Sequence, residues 1–383
     1  MLYVKSATIV TPEKLLEDSA VLVEGGRIIA VGSSGEVQCP PGAQQIEGGE
    51  LLLAPGFIDL QINGAFGEDF TANPGSIWEV ASKLPRYGVT AFLPTIITSP
   101  PSQVAAAQEV ISQGPPSGFI GATPLGLHLE GPFLNRDKHG AHDPTHLRLP
   151  DITAIARWSP DEGVRMVTLA PELPGALSVV SALVARGVVV SAGHSMATFE
   201  EARAGIEAGI SYGTHLFNAM PALEHREPGL VGAMLTDDNV TVGIIADGVH
   251  LHPAVVALIW RAKGPAHLNM VTDAMAGLGM PPGVYKLGNE DVTVDERSAR
   301  LPDGRLAGSV LSLDQAVRNL VEFTGCHAAE AIAVVTSVPA SILGLSKSHG
   351  RIAPGYVADM TLLTSDLHVV TTIVGGEVVF DRA

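Results

Sequence analysis

Cysteine is nearly missing from this sequence: Cys39 and Cys326 are the only two among 383 residues. Two thiols cannot build a disulfide framework, so a reducing, cytoplasmic setting is expected. Basic residues are also scarce, 23 Lys and Arg against 40 Asp and Glu, for a formal net charge of −17. No basic run forms, which argues against a nucleic-acid partner. Any anionic ligand must then sit in a local cationic pocket that works against the overall field. There is no uninterrupted run of about 18 apolar residues, so no membrane-spanning helix is expected. The opening stretch "MLYVKSATIVTPEKLLEDSA" carries Lys5, Glu13, Lys14, Glu17 and Asp18, too much charge for a signal-peptide core. The expectation is a soluble protein with no membrane partner.

What the chain does have is turns and short apolar runs. Its 42 glycines and 27 prolines make up more than the roughly 12% of an average protein, yet less than the ~25–30% of low-complexity chains. Residues 1–54 alternate and turn, as in "SAVLVEGGRIIAVG", and residues 344–383 do the same in "GRIAPGYVADMTLL". Short β-branched runs broken by Gly-Gly read as antiparallel strands, so both termini are expected to build one β-sandwich domain. Residues 55–343 differ. Apolar runs fit buried parallel strands at Phe57–Ile62, Val89–Ile96, Leu125–Glu130, Val164–Ala170, Gly187–Gly193, Ile210–His215, Val240–Asp247 and Leu268–Asp273. Helical patterns lie between them; one starts at Thr198, whose spacing to Glu201 is that of a capping box. Eight such alternations predict an α/β chain with a TIM-like (β/α)8 barrel. A doubly wound open sheet is the rival, weakened because neither G-x-G-x-x-G nor a Walker A sequence follows any of these runs. Residues 276–307 read as an irregular or hairpin insertion, followed by helices from Val310 to Leu343.

Barrel enzymes place their chemistry where strands end. The ends here carry Gln61 and Asn63, His128 and Glu130, His194, His215, Asp247 and His250, and Asp273. A single histidine after a strand is usually structural; several titratable groups at one mouth are not required by packing. Glu130, His194 and His215 offer two imidazoles and a carboxylate, a set that suits Zn²⁺ with one position left open. Three ligands from three strands leave no short local signature, so spacing alone leaves a metal site open. Asp273, in "MVTDAMAG", is either a turn aspartate or a carboxylate that moves the proton of an attacking water. His225 and Arg226 in "ALEHREPGL", with His250 and His252 in "DGVHLH", are surface charges or a grip for phosphate or carboxylate. Asn218 and His142 are candidates for hydrogen bonds to sugar hydroxyls or an acyl oxygen.

The ordered segments "PGFIDLQING", "GLHLEGPFLN", "SAGHS", "THLFNAM", "REPGL", "IADGVHLHP" and "VTDAMAGLG" resemble the N-acetylglucosamine-6-phosphate deacetylases of the amidohydrolase superfamily. "HLEGPFLN" with "THLFNAM" is specific to that group, whereas "PGFID" and the termini are shared across the superfamily. The resemblance implies Glu130, His194 and His215 as ligands of a catalytic divalent metal, with Asp273 as general base and then general acid. It implies that Asn218, the Ala219 backbone, His142 and His250 contact the sugar phosphate or its acetamido group. It also implies that Arg226 binds the phosphate, often across a homodimer interface. Most superfamily members have His-x-His where this chain has Gln61-Ile62-Asn63. Carboxamides are poor Zn²⁺ ligands but can hydrogen-bond the ligands from outside, so one ion is expected, Zn²⁺ or else Fe²⁺, Co²⁺ or Mn²⁺. The alternatives are a deacetylase of another N-acetylhexosamine 6-phosphate such as the galactosamine epimer, a cyclic-amide hydrolase, and a non-catalytic scaffold. The retained Glu130, His194, His215 and Asp273 argue against the scaffold, and a phosphate grip argues against cyclic amides.

Overall fold

The computed structural model describes residues 1–11 and 15–382. Residues 12–14 and Ala383, part of the expected terminal β domain, lie outside the described residues. The N-terminal strands are β1 Leu2–Val10, β2 Leu15–Glu24, β3 Arg27–Ser33, β4 Gln44–Glu47 and β5 Leu52–Pro55. The barrel strands follow in the middle of the chain: β6 Phe57–Ile62, β7 Val89–Ile97, β8 Leu127–Glu130, β9 Val164–Leu169, β10 Val189–Ala192, β11 Tyr212–Gly213, β12 Thr241–Ile244 and β13 Leu268–Met270. Helices α1 Ile77–Lys83, α2 Pro101–Gln113, α3 Ala176–Ala185, α4 Phe199–Ala208, α5 Gly229–Thr236 and α6 Pro253–Lys263 run among them. Then come a small antiparallel sheet of β14 Gly283–Leu287, β15 Glu290–Val294 and β16 Ala299–Arg300, and helices α7 Leu313–Thr324, α8 Ala328–Ala333 and α9 Ser337–Ile342. Strands β17 Met360–Leu363, β18 Val369–Val374 and β19 Glu377–Asp381 end the described chain.

Strands β6 to β13 pair in chain order, every pair parallel. The ring closes where the chain beyond β13 meets β6: Asp273 N–H donates to Gln61 O at 2.8 Å and Asn63 N–H to Ala274 O at 2.7 Å. Both faces of these strands are covered, and all six residues of β6 and all nine of β7 are buried. That double burial explains why they read as continuous apolar runs rather than alternating ones. The helices supply the outer cover. The α4 cap is as expected: Thr198 N–H donates to Glu201 Oε2 at 2.9 Å, and Glu201 N–H donates to Thr198 Oγ1 at 3.2 Å.

Several strands are shorter than the apolar runs that announce them. The run Ile210–His215 yields only Tyr212–Gly213, and Gly187–Gly193 yields Val189–Ala192. At the mouth end the cause is backbone geometry: His194, His215 and Asp273 have φ of +50°, +29° and +48°, outside the strand region. The 276–307 insertion is the sheet of β14 to β16, packed through Leu287, Val292 and Val294 against Ile97 and Met275.

The terminal strands form one sheet, ordered β19-β18-β17-β5-β1-β2-β3, with β4 beside β1. It curls on itself, since Arg27 in β3 bridges to Val357 and Ile28 N–H donates to Tyr356 O at 2.9 Å. Val4, Val21, Leu53, Met360, Leu362 and Ile373 share the core this encloses. For the unit limits we propose the expected division, 1–54 with 344–383 against 55–343. Among the described residues no helix is long and apolar enough to cross a membrane.

Candidate functional site

At the C-terminal mouth of the barrel, Glu130 is the last residue of β8, while His194 and His215 each follow a strand by two residues. All three side chains are buried. Glu130 Oε1 lies 3.1 Å from Nε2 of His194 and 3.1 Å from Nε2 of His215, and the two Nε2 atoms are 3.1 Å apart. His194 Nδ1 is 2.8 Å from Lys138 O. A carbonyl can only accept, so Nδ1 carries the proton and Nε2 presents a lone pair to the triangle. Three donor atoms on edges of 3.1 Å suit a tetrahedral cation, whose ~2.0–2.1 Å bonds give edges of about 3.3 Å. Burial would raise the Glu130 carboxyl, but the adjoining His194 and His215 imidazoles hold it well below the usual carboxylate range. Burial likewise opposes charge on His215, yet the adjoining Glu130 keeps its pKa above that of a free imidazole. The pocket floor therefore favours positive charge at its centre.

Gln61 and Asn63 stand opposite this triangle and link it to Asp273. Gln61 Nε2 donates to Glu130 Oε1 and to Asp273 Oδ1, both at 3.1 Å. Asn63 Nδ2 donates to the same Asp273 Oδ1 at 2.8 Å. The carboxylates dictate these amide orientations, because reversing either would set oxygen against oxygen. The consequence is that Gln61 Oε1 and Asn63 Oδ1 are buried with no hydrogen-bond partner among the described residues. Burial, followed by the charge of Glu130, raises the pKa of Asp273, and the bond from Asn63 partly offsets that.

His142 completes the floor. Its Nδ1 accepts from the Thr98 N–H at 3.2 Å, so the proton sits on Nε2, which is 3.7 Å from Glu130 Oε2. Burial and the neighbouring His194 push its pKa down to about 3, so the ring is a neutral N–H donor. His128 takes no part: it is fully buried inside the barrel, 2.7 Å from Thr168 Oγ1, and burial lowers its pKa to about 4.

Around this floor lies a pocket of about 310 Å³ whose walls include Asn63, His142, Asn218, Ala219, His250 and Asp273. Asn218 Nδ2 donates to His215 O at 3.1 Å, and Ala219 has a φ of +52°. Among the described residues, five of the eight non-glycine residues with positive φ are His194, His215, Phe217, Ala219 and Asp273. Such conformations cost of order 1–3 kcal/mol each and persist where the surroundings impose them, commonly at functional sites. His250 Nδ1 pairs with Asp247 Oδ2 at 2.7 Å. Burial opposes that aspartate's charge, but the hydrogen bond and charge of His250 keep its pKa low.

The supposed cationic cluster is not gathered in one place. Of its four members only His250 lines the pocket. His225 and Arg226 are exposed and 2.6 Å from each other, while His252 accepts from Ala254 N–H as the cap of α6. Sequence reasoning missed other participants: Lys138 and Arg305 are pocket walls, and Arg305 Nη1 donates to Gly140 O at 2.6 Å. It also missed Asp59, buried beneath the floor and bonded by Thr272 Oγ1 at 2.5 Å, whose pKa burial raises to about 7.

Comparison with known proteins gives one family model, the amidohydrolase family, matching residues 52–379. The human N-acetylglucosamine-6-phosphate deacetylase is 41% identical over 96% of this chain and 92% of its own. The crystal structure of the Pasteurella multocida N-acetylglucosamine-6-phosphate deacetylase superposes with a TM-score of 0.92 at 31% identity, covering 98% of this chain and 99% of that one. The Mycobacterium smegmatis enzyme, as a mutant in complex with N-acetyl-D-glucosamine-6-phosphate, gives 0.90 at 35% identity, covering 99% of both chains.

Proposed function

Because the chain belongs to the amidohydrolase family, we propose that it hydrolyses the acetamide of N-acetylglucosamine 6-phosphate to glucosamine 6-phosphate and acetate. One observation carries this reading: two imidazoles and a carboxylate converge on the pocket floor, with a second buried carboxylate facing them. Glu130, His194 and His215 hold a divalent cation, with Zn²⁺ favoured by the donor set and Fe²⁺, Co²⁺ and Mn²⁺ as alternatives. When bound, that cation supplies Lewis-acid polarisation of the acyl group and makes water more acidic. Gln61 and Asn63 direct N–H groups, not oxygens, at the neighbouring carboxylates, which supports one ion per chain.

The remaining work belongs to side chains. Asp273 Oδ1 is engaged by both carboxamides, so Oδ2 takes a proton from the attacking water as its oxygen adds to the acyl carbon. A raised pKa makes the protonated Asp273 tolerable in this buried place. The same Oδ2 returns the proton to the amine nitrogen as the C–N bond breaks, and acetate keeps the oxygen that water supplied. No acyl group is transferred to the protein. His142, neutral and protonated at Nε2, donates to the developing oxyanion. Asn218, the Ala219 backbone and His250 form the wall for the sugar and its substituents.

Arg226 is exposed and outside the pocket of its own chain. Its assignment to the phosphate therefore entails a second copy, with the exposed Leu223 close by in sequence. A homodimer in the cytoplasm, where Cys39 and Cys326 stay reduced, fits this reading. The test is acetate release from N-acetylglucosamine 6-phosphate before and after chelation. Loss of activity on chelation and its return with Zn²⁺ are expected. Release indifferent to chelation, or two tightly bound and activity-linked ions per chain, would overturn the reading.

A further inference from the structure

A second cavity adjoins the reaction pocket. Its volume is about 380 Å³, against 310 Å³ for the reaction pocket, and Ile97 is a wall of both. It lies among the ends of β7 and β8, helix α2 and the loop from Arg148 to Trp158. Ile96, Val104, Leu129, Pro132 and Trp158 make it mostly apolar. Protein interiors keep few voids larger than a water molecule, whereas pockets for small molecules run to ~300–1,000 Å³.

Its polar features are sparse and placed. The buried Gln108 donates through Nε2 to Arg157 O at 2.9 Å and to Glu162 O at 2.8 Å, which fixes the loop at the rim. Arg157 is neutralised by Glu162 at 2.8 Å. Arg148, exposed on the same rim, engages no acidic side chain among the described residues. Ser99, also a wall, is buried and its hydroxyl has no partner among the described residues. In a chain of net charge −17, an uncommitted guanidinium at an apolar opening selects for an anion.

We propose that this cavity is a second binding site, for a small amphipathic carboxylate. Its apolar body lies against Leu129 and Trp158, and its carboxylate meets Arg148 at the rim. Thr98, whose N–H orients His142, belongs to the same wall, so the occupant abuts a support of the reaction pocket. The proposal does not depend on which reaction the neighbouring pocket performs.

Octanoate is the probe, titrated calorimetrically into the full, metal-loaded chain. It binds once per chain, and 1-octanol binds about tenfold more weakly for want of a charge-assisted contact. Arg148→Ala brings octanoate down to the affinity of octanol. Ala105→Trp, on the exposed side of α2, fills the cavity and removes binding of both. Glucosamine 6-phosphate does not compete. Absence of octanoate binding, competition by the sugar phosphate, or an unchanged octanoate-to-octanol ratio in Arg148→Ala would each overturn the proposal. The Arg148 variant, a change at the solvent-exposed rim, decides the matter should Ala105→Trp fail to fold.

Discussion

The floor and the outer wall of the reaction pocket are built differently. On the floor, Gln61, Asn63, Glu130, His142, His194, His215 and Asp273 are all buried, and all but the loop residue His142 sit at or just past barrel-strand ends. Each is held by at least one hydrogen bond to another floor residue or to backbone. The outer wall is looser: Asn218, Ala219 and His250 are half-buried on loops, and Arg226 is exposed outside it. On the proposed reading the reacting groups come complete from one chain, while the grip on a distal phosphate needs Arg226 of a second copy. Bond-making should therefore depend on the floor and show in kcat, and substrate capture should depend on the wall and show in KM.

The largest effect is expected at Asp273. Asp273→Asn keeps the shape and the Gln61 contact but removes the proton acceptor, so kcat should fall about 1,000-fold or more. Metal content and circular dichroism should stay those of the parent, because Asp273 is not one of the three converging ligands. A variant within tenfold of the parent rate would erase the distinction between a catalytic floor and a binding wall.

The floor was largely readable from sequence, and the reason is topological. Parallel strands buried on both faces leave continuous apolar runs, so a polar residue where such a run stops marks a mouth position. Glu130, His194, His215 and Asp273 all stand out that way. The supports of these residues leave no such mark. Lys138 O orients His194 from 56 residues away, and Thr98 N–H orients His142 across 44. Backbone groups are the same in every residue, so no residue type announces their use. Strand lengths misled for a related reason: the run extends to His215, but the left-handed turn there ends the ladder at Gly213. His225 and Arg226 and the pair His250 and His252 read together as one cationic grip, yet only His250 reaches the pocket, while His225 and Arg226 are exposed and His252 caps α6.

Arg226 gives the next largest effect and the sharpest contrast with Asp273. Losing a charge-assisted contact to phosphate should raise KM for the phosphorylated sugar about 30- to 100-fold. The value for unphosphorylated N-acetylglucosamine should barely move, and kcat should stay near that of the parent. Because Arg226 lies outside its own pocket, mixing Arg226→Ala chains with Asp273→Asn chains should restore some activity through hybrid dimers. Absence of such complementation, with a dimer confirmed by sedimentation, would return the phosphate grip to residues of one chain.

The smallest effect, and the most specific to the floor, is expected at Asn63. Its Nδ2 donates to Asp273 Oδ1 at 2.8 Å and so stabilises the ionised carboxylate. Burial and the charge of Glu130 already raise that pKa, and Asn63 opposes them. Asn63→Ala removes the opposing contribution, so the pKa of Asp273 rises further and its basic form is reached only at higher pH. The acidic limb of the kcat/KM profile should therefore move to higher pH. The maximal rate should fall about tenfold, as for other residues that orient a metal site from outside the ligand set. Metal content should not change, since Asn63 is not one of the three converging ligands. A tenfold loss with an unmoved limb would make Asn63 a packing residue. A loss of metal would place its amide among the ligands and end the single-ion reading of Gln61-Ile62-Asn63.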